Sequence, residues 1–319
     1  MGIGSSRRFY EAEVAPMIHE KFREFEKRIA VGIAGEGSDC FGYDDFISRD
    51  HDFGTGVCLW VTDEDMQSIG QELSREYEYL VDQHPSSKLT DRLRARRGVM
   101  TIRSFYSKIL GTELDTKNAV ITNDDWNRLD HACLATAVNG FVFRDDLGEF
   151  TAFRDLLLNY YPDNVWRIRI ANELHKFAAS LQVNYSRCMC REDWVAARLC
   201  HMQGLEAAMQ LYFLMKRQYP PYYKWTFRRL EEIDRDSVDS STKYGGFSTL
   251  IRKLSEEMGD KSAWKGIKYS PNYINLSDPM IVLAERIAGC IVDMMNKNGL
   301  TDRTNPYLET YVDEILDKI

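Results

Sequence analysis

Apolar positions in the first half of the chain change period several times, and each change predicts an element. Ile18, Phe22, Phe25 and Ile29 fall on one stripe behind Pro16, the spacing of an amphipathic helix over residues 17–29. RIAVGIAG, residues 28–35, is almost continuously apolar and closed by glycine, which predicts a buried strand. FGTGVCLWV at 53–61 predicts a second strand. Thr62 then caps a helix running through Gln83, with acids in its first turn. GVMTIRSFY at 98–106 and HACLATAVNGFVFRD at 131–145 read as two further strands, separated by a helix starting near Asp124.

Near residue 150 the strand signals end and a helical period takes over. One helix follows Pro162 and runs to about 182. A longer one over 191–218 carries Trp194, Leu199, Met202, Leu205, Met209 and Tyr212 as its apolar stripe and stops before Pro220-Pro221. A third, over 277–299, has Ser277 as cap, Pro279 in its first turn and Asn298-Gly299 as its stop. The expected fold is α+β: a head with a mixed sheet flanked by helices over residues 1–150, then an all-α helical bundle over 151–319.

Composition narrows the class. At 44% hydrophobic and 28% charged the 319-residue chain belongs with ordinary globular proteins, and its length allows two domains. A net charge of -8 argues against a surface that coats nucleic acid. No apolar run reaches bilayer length, and MGIGSSRRFY lacks the apolar core of a secretory signal. The seven cysteines are scattered, and Cys188 and Cys190 are one residue too close for a zinc knuckle. These features predict reduced structural thiols, no membrane partner and a cytoplasmic location.

The candidate chemistry sits in GEGSDCFGYDDFISRDHDFG, residues 35–54, where Asp39, Asp44, Asp45, Asp50 and Asp52 crowd beside a glycine turn. Carboxylates that close repel unless a cation lies between them or water screens them. A dinucleotide fingerprint fails because Cys40 stands where Gly or Ala is needed. A Walker loop fails because Asp39 follows Gly37-Ser38, and an EF-hand fails because Phe41 and Tyr43 fill ligand positions. What remains is Gly37-Ser38, whose backbone can approach a polyphosphate, and Asp50-x-Asp52, whose side chains would share one face of an extended strand. Paired carboxylates there suit one or two Mg2+ ions and in-line attack on a nucleotide α-phosphate.

Gly37-Ser38 followed by Asp50-x-Asp52 resembles the signature of the DNA-polymerase-β-like nucleotidyltransferase superfamily. The layout of head and helical tail looks like that of the antibiotic nucleotidyltransferases. GEGSDCFGYDDFISRDHDFG, QVNYSRCMCREDWVAA and QYPPYYKW together resemble an uncharacterised bacterial family of predicted nucleotidyltransferases with a helical C-terminal domain. The resemblance implies transfer of a nucleoside monophosphate from an NTP, expected to be ATP, to a hydroxyl. A small, aminoglycoside-like acceptor is favoured over tRNA or a protein hydroxyl, with a non-catalytic nucleotide-binding protein as the rival class. Gly37 and Ser38 would hold the triphosphate, and Asp50 and Asp52 the metal.

In the tail, Arg187 and Arg191 stand four apart on one helix face and need an anionic partner, either nucleotide phosphate or acids such as Glu192 and Asp193. Lys224 in QYPPYYKW either reaches a phosphate or caps a packed aromatic corner. Arg92, Arg94, Arg96 and Arg97 read as a solvated face. The superfamily often uses a third acid. Here GVMTIRSFY carries none in its apolar part, which leaves Asp145, Asp146 or Asp193 as alternatives.

Overall fold

The computed structural model describes residues 2–45, 47, 54–84, 91–237, 246–271 and 273–319. Internal packing divides the chain into two compact units, Met1–Tyr160 and Tyr161–Ile319. The first is α+β and holds the sheet, and the second is helical wherever it has regular structure.

The first unit opens with α1 (Gly2–Phe9), a π-helical stretch and α2 (Ala15–Lys21). The helix expected over 17–29 therefore stops early: Phe22 leaves helical geometry at φ -126°, yet Ile18, Phe22 and Ile29 are buried as the stripe required. Then come β1 (Ala30–Ile33), β2 (Cys58–Val61), α3 (Asp63–Gln83), the single turn α4 (Asp91–Arg94) and β3 (Gly98–Thr101). They are followed by α5 (Ile102–Leu110), α6 (Asn123–Arg128), α7 (His131–Ala137), β4 (Phe141–Arg144) and α8 (Glu149–Leu158).

Two of the expected strands are half helix. In GVMTIRSFY the strand ends at Thr101, whose hydroxyl accepts the Ser104 N–H and caps α5, and Gly111 closes that helix at φ +69°. In HACLATAVNGFVFRD the Ala-rich front is α7, capped by Asp130 through the Ala132 and Cys133 N–H groups. Only its last part pairs as β4.

The strand order is β3-β2-β1-β4, with β1 antiparallel to β2 and β4 and β2 parallel to β3. Every residue of β1 and β2 is buried because both faces are covered. Val31, Leu59 and Val61 pack with Phe9, Ile18, Leu73 and Tyr77 on one side. On the other, Trp60 stacks on Phe150 at 3.8 Å, flanked by Phe105 and Tyr106. Gly32 makes that stack fit, since a Cβ there would lie 2.9 Å from the Trp60 ring and 2.4 Å from the Phe141 carbonyl oxygen.

The second unit comprises α9 (Asp163–Phe177) continuing through a π-helical stretch into α10 (Tyr185–Cys190), then α11 (Trp194–Met215), α12 (Tyr223–Asp236), α13 (Phe247–Glu256), α14 (Pro279–Lys297) and α15 (Val312–Leu316). On α11 the expected stripe is buried at Tyr212 but not toward the start of the helix. Leu199 and Met202 are exposed, while Ala197, His201, Gly204, Ala208 and Leu211 face inward. A Cβ at Gly204 would stand 2.3 Å from Leu181, so small residues here let two helices approach closely. The cap of α14 is Asp278 rather than Ser277. This buried carboxylate accepts from the Met280 N–H, the Tyr185 hydroxyl and Trp264 Nε1. Among the described residues no helix is long and apolar enough to cross a membrane.

Candidate functional site

The turn leaving β1 is built by glycines and clamped from behind. Gly35 and Gly37 adopt φ +100° and +132°, conformations that L side chains rarely take. Buried Asn139 accepts the Gly35 N–H at 2.8 Å and donates to the Gly35 carbonyl at 2.8 Å, replacing both strand hydrogen bonds with one amide. The next residue, Gly140, donates to the Cys40 carbonyl at 2.9 Å. Farther along, the Ser38 carbonyl accepts the Tyr43 N–H and the Asp39 carbonyl accepts the Gly42 N–H, closing a compact loop over Ser38–Tyr43.

Part of the acidic crowding has a counter-charge other than a metal. Asp39 Oδ2 accepts from Arg97 Nη2 at 3.0 Å, and a Cβ on Gly37 would fall 2.3 Å from Asp39 Oδ1. Gly37 is thus needed for the Asp39 carboxylate to fold back over the turn. Asp44 accepts the Gly2 N–H at 2.7 Å; burial pushes its carboxyl up, but that hydrogen bond and the nearby positive charge together bring it below the usual value. Asp50 and Asp52 lie outside the described residues. Among those described, no three His, Cys, Asp or Glu side chains gather as a metal-donor set.

Arg97 corrects the expectation of a solvated arginine face. Its side chain is buried, and it donates to Asp39, to the Arg96 carbonyl and, at 3.2 Å, to Cys40 Sγ. Arg94 and Arg96 are paired with Asp82 and Glu36. Burial outweighs the neighbouring guanidinium and pushes the Cys40 thiol up to about 12. The folded thiol therefore keeps its proton where the unfolded one, near 9, has lost it, so Cys40's contribution to stability is present below pH 9 and is lost as pH rises from 9 toward 12. Native protein at pH 8.5 is expected to leave Cys40 unlabelled by iodoacetamide until denaturant is added, as read by peptide mass spectrometry.

A cavity of about 320 Å³ opens beside the turn, between Gly35-Glu36, the 94–97 segment, β3 and the end of α5. Its rim carries Arg94, Arg96 and Lys108 against Glu36, and its floor is Val99, Phe105 and Ile109. All of this lies at the sheet end where β1 finishes and β2 and β3 begin, because Gly32 pairs with Cys58 and Cys58 with Gly98.

The alternative third acids are otherwise engaged. Since Val31 pairs with Arg144 and Ile33 with Phe141, Asp145 and Asp146 follow β4 at the opposite end of β1 from Gly35. Asp145 caps α8 through the Gly148 and Thr151 N–H groups, and Asp146 pairs with Arg144. Asp193 caps α11 through the Ala196 N–H. In the second unit, Arg187 is exposed, donating to the Tyr269 hydroxyl at 3.1 Å and to Asn184 Oδ1 at 3.2 Å. Exposed Lys224 lies in the first turn of α12 with its ammonium 5.0 Å from the Trp225 ring centroid. Sequence reasoning missed Asn139 and the burial of Arg97. The first had a signal, an Asn-Gly pair before an apolar run, but the second had none in a string of arginines.

Residues 126–226 match a family described as Domain of unknown function (DUF4037), about a third of the chain. The matched segment contains Asn139, Arg187, Asp193 and Lys224 but not Gly37, Ser38, Asp50 or Asp52. No curated protein and no solved structure matches the chain.

Proposed function

We propose that this protein is a magnesium-dependent nucleotidyltransferase that moves a nucleoside monophosphate from an NTP, expected to be ATP, to a hydroxyl. The supporting observation is the β1 end. A clamped glycine turn and the segment leading into β2 leave the same sheet end, and a basic-rimmed cavity of about 320 Å³ opens beside the turn. That arrangement can receive a polyphosphate: glycine backbone approaches it closely, and guanidinium and ammonium groups offset its charge.

In this reading Gly37 and Ser38 orient the triphosphate, and Asp50 and Asp52 hold the metal. Arg187 and Lys224 serve as further phosphate-binding groups. Magnesium, when bound, neutralises developing charge on the phosphoryl oxygens and the leaving pyrophosphate. The acceptor is a small, aminoglycoside-like hydroxyl compound, with tRNA or a protein hydroxyl as the other acceptor classes.

A non-catalytic nucleotide-binding role on the same fold is favoured by one observation. Asp145, Asp146 and Asp193 are all committed as caps or ion pairs, and β3 carries Met100 with no acid. Calorimetry with ATP and magnesium, followed by pyrophosphate release across aminoglycosides, tRNA and protein acceptors, separates the readings. Release with any acceptor is expected. Binding without release supports the second reading, and absence of nucleotide binding overturns both.

A further inference from the structure

Two thiols of the second unit touch. The Cys200 thiol on α11 donates to the Cys188 sulfur on α10, and both residues are partly exposed. Only residues 191–193 separate the two helices, which pack against each other. The Arg191 and Asp193 N–H groups both donate to the Cys188 carbonyl, at 3.1 and 3.0 Å, and Glu192 takes a left-handed φ of +58° to make the turn. Burial, and after it the Cys188 neighbour, push the Cys200 thiol up to about 11, so Cys200 holds its proton at neutral pH. Cys190, on the same short helix as Cys188, is raised by burial alone and has no thiol beside it. Beside the pair in the chain, Arg187 and Arg191 have no carboxylate partner among the described residues. Arg187 donates to the Tyr269 hydroxyl and Asn184 Oδ1, both uncharged, and Arg191 is exposed. Asp193 caps α11 through the Ala196 N–H instead of pairing with either.

We infer that Cys188 and Cys200 form a thiol–disulfide exchange site for an anionic low-molecular-weight disulfide of the glutathione kind, with Cys188 attacking and Cys200 resolving. The Cys188 thiolate, its proton lost to solvent, attacks one sulfur of oxidised glutathione. One glutathione thiolate leaves, and a mixed disulfide remains on Cys188. Cys200 then gives its proton to solvent and attacks the Cys188 sulfur, which releases the second glutathione and joins the two cysteines. In total the two protein thiols lose two electrons and two protons, and the glutathione disulfide is reduced to two thiols. Sulfurs already within hydrogen-bond distance reach the S–S bond length of about 2 Å largely by side-chain rotation. A guanidinium recognises a carboxylate in a planar fork, so Arg187 and Arg191 select a ligand that carries carboxylates. None of this depends on the nucleotide reading above.

The test treats the full chain with oxidised glutathione at about pH 8 and maps its peptides by mass spectrometry without reduction. Wild-type protein is expected to yield a Cys188–Cys200 cross-link that a reducing dithiol reverses. Cys200→Ser should instead keep one glutathione on Cys188, because nothing resolves the mixed disulfide. Cys188→Ser should carry neither a cross-link nor glutathione on Cys200, and Cys190→Ser should leave the cross-link intact. Arg191→Gln is expected to slow cross-linking by oxidised glutathione at least about 3-fold and to leave the rate with uncharged hydroxyethyl disulfide unchanged. If a serine variant does not fold, the wild-type map decides alone. Absence of the cross-link from folded wild-type protein, or a cross-link that uses Cys190, overturns the inference. Glutathione on Cys200 in Cys188→Ser overturns the order of attack, and equal slowing of both disulfides by Arg191→Gln overturns the anionic ligand class.

Discussion

The double substitution Asp50→Asn, Asp52→Asn is expected to abolish magnesium-dependent transfer, with a fall of at least about 10³-fold, the rate equivalent of ~4 kcal/mol of metal-dependent stabilisation. An amide oxygen keeps the shape of a carboxylate but carries no charge, and magnesium binds through charged, hard oxygens. The fold should survive. Both residues lie in sequence between Ile47 and Gly54, outside β1 and β2, and removing two like charges relieves repulsion within the acidic segment. Pyrophosphate release and a thermal melt on the same preparation check the two halves of the claim. Turnover that persists in a well-folded double variant would remove Asp50 and Asp52 from the mechanism.

Gly140→Ala is the substitution expected to cost the fold most. Gly140 adopts φ +69°, and a Cβ there would lie 1.9 Å from the Ile33 carbonyl oxygen and 2.8 Å from its carbon. Both atoms are backbone at the end of β1, so no side-chain rotation relieves the overlap, and a loss of at least ~3 kcal/mol is expected. Gly148→Ala is the control: its φ of +74° is similar, but nothing lies within 4 Å of the added carbon, so only the left-handed strain of about 1 kcal/mol applies. Urea denaturation of the full chain, followed through its first transition, compares them. Because Asn139 clamps Gly35 from the adjoining position, nucleotide affinity should fall with Gly140→Ala and hold with Gly148→Ala. Equal destabilisation by the two would mean that the β1 end can shift to make room.

Much of the first unit was legible from local pattern. RIAVGIAG and FGTGVCLWV each contain a strand, Ala30–Ile33 and Cys58–Val61, because fully buried strands show unbroken apolar runs, and Thr62 caps its helix through the Asp65 N–H as its spacing required. The misreadings came where one apolar run served two elements. Thr101 and Asp130 are caps in plain view, but an apolar stretch short enough to be a strand hides a helix until the cap is weighed against the run. On α11 the period was read correctly and Tyr212 is buried with its stripe, but nearer the start of the helix close packing selects small residues such as Gly204 while Leu199 and Met202 stay exposed.

The acidic segment shows the same division. Its residue types pointed to a cation between the carboxylates, and for Asp39 the cation is Arg97, which stands far along the chain in an arginine-rich stretch that looks solvated. The Gly-Ser and Asp-x-Asp spacing, the apolar runs of β1 and β2 and the Thr62 cap follow from the sequence alone, because each rests on bonds and periods within a few residues. The Asn139 clamp, the burial of Arg97, the separation of Asp145 from the glycine end and the Glu36–Arg96 pair were decided only by tertiary structure. Each depends on which strand end faces which, and that is settled by the packing of both sheet faces rather than by any local preference.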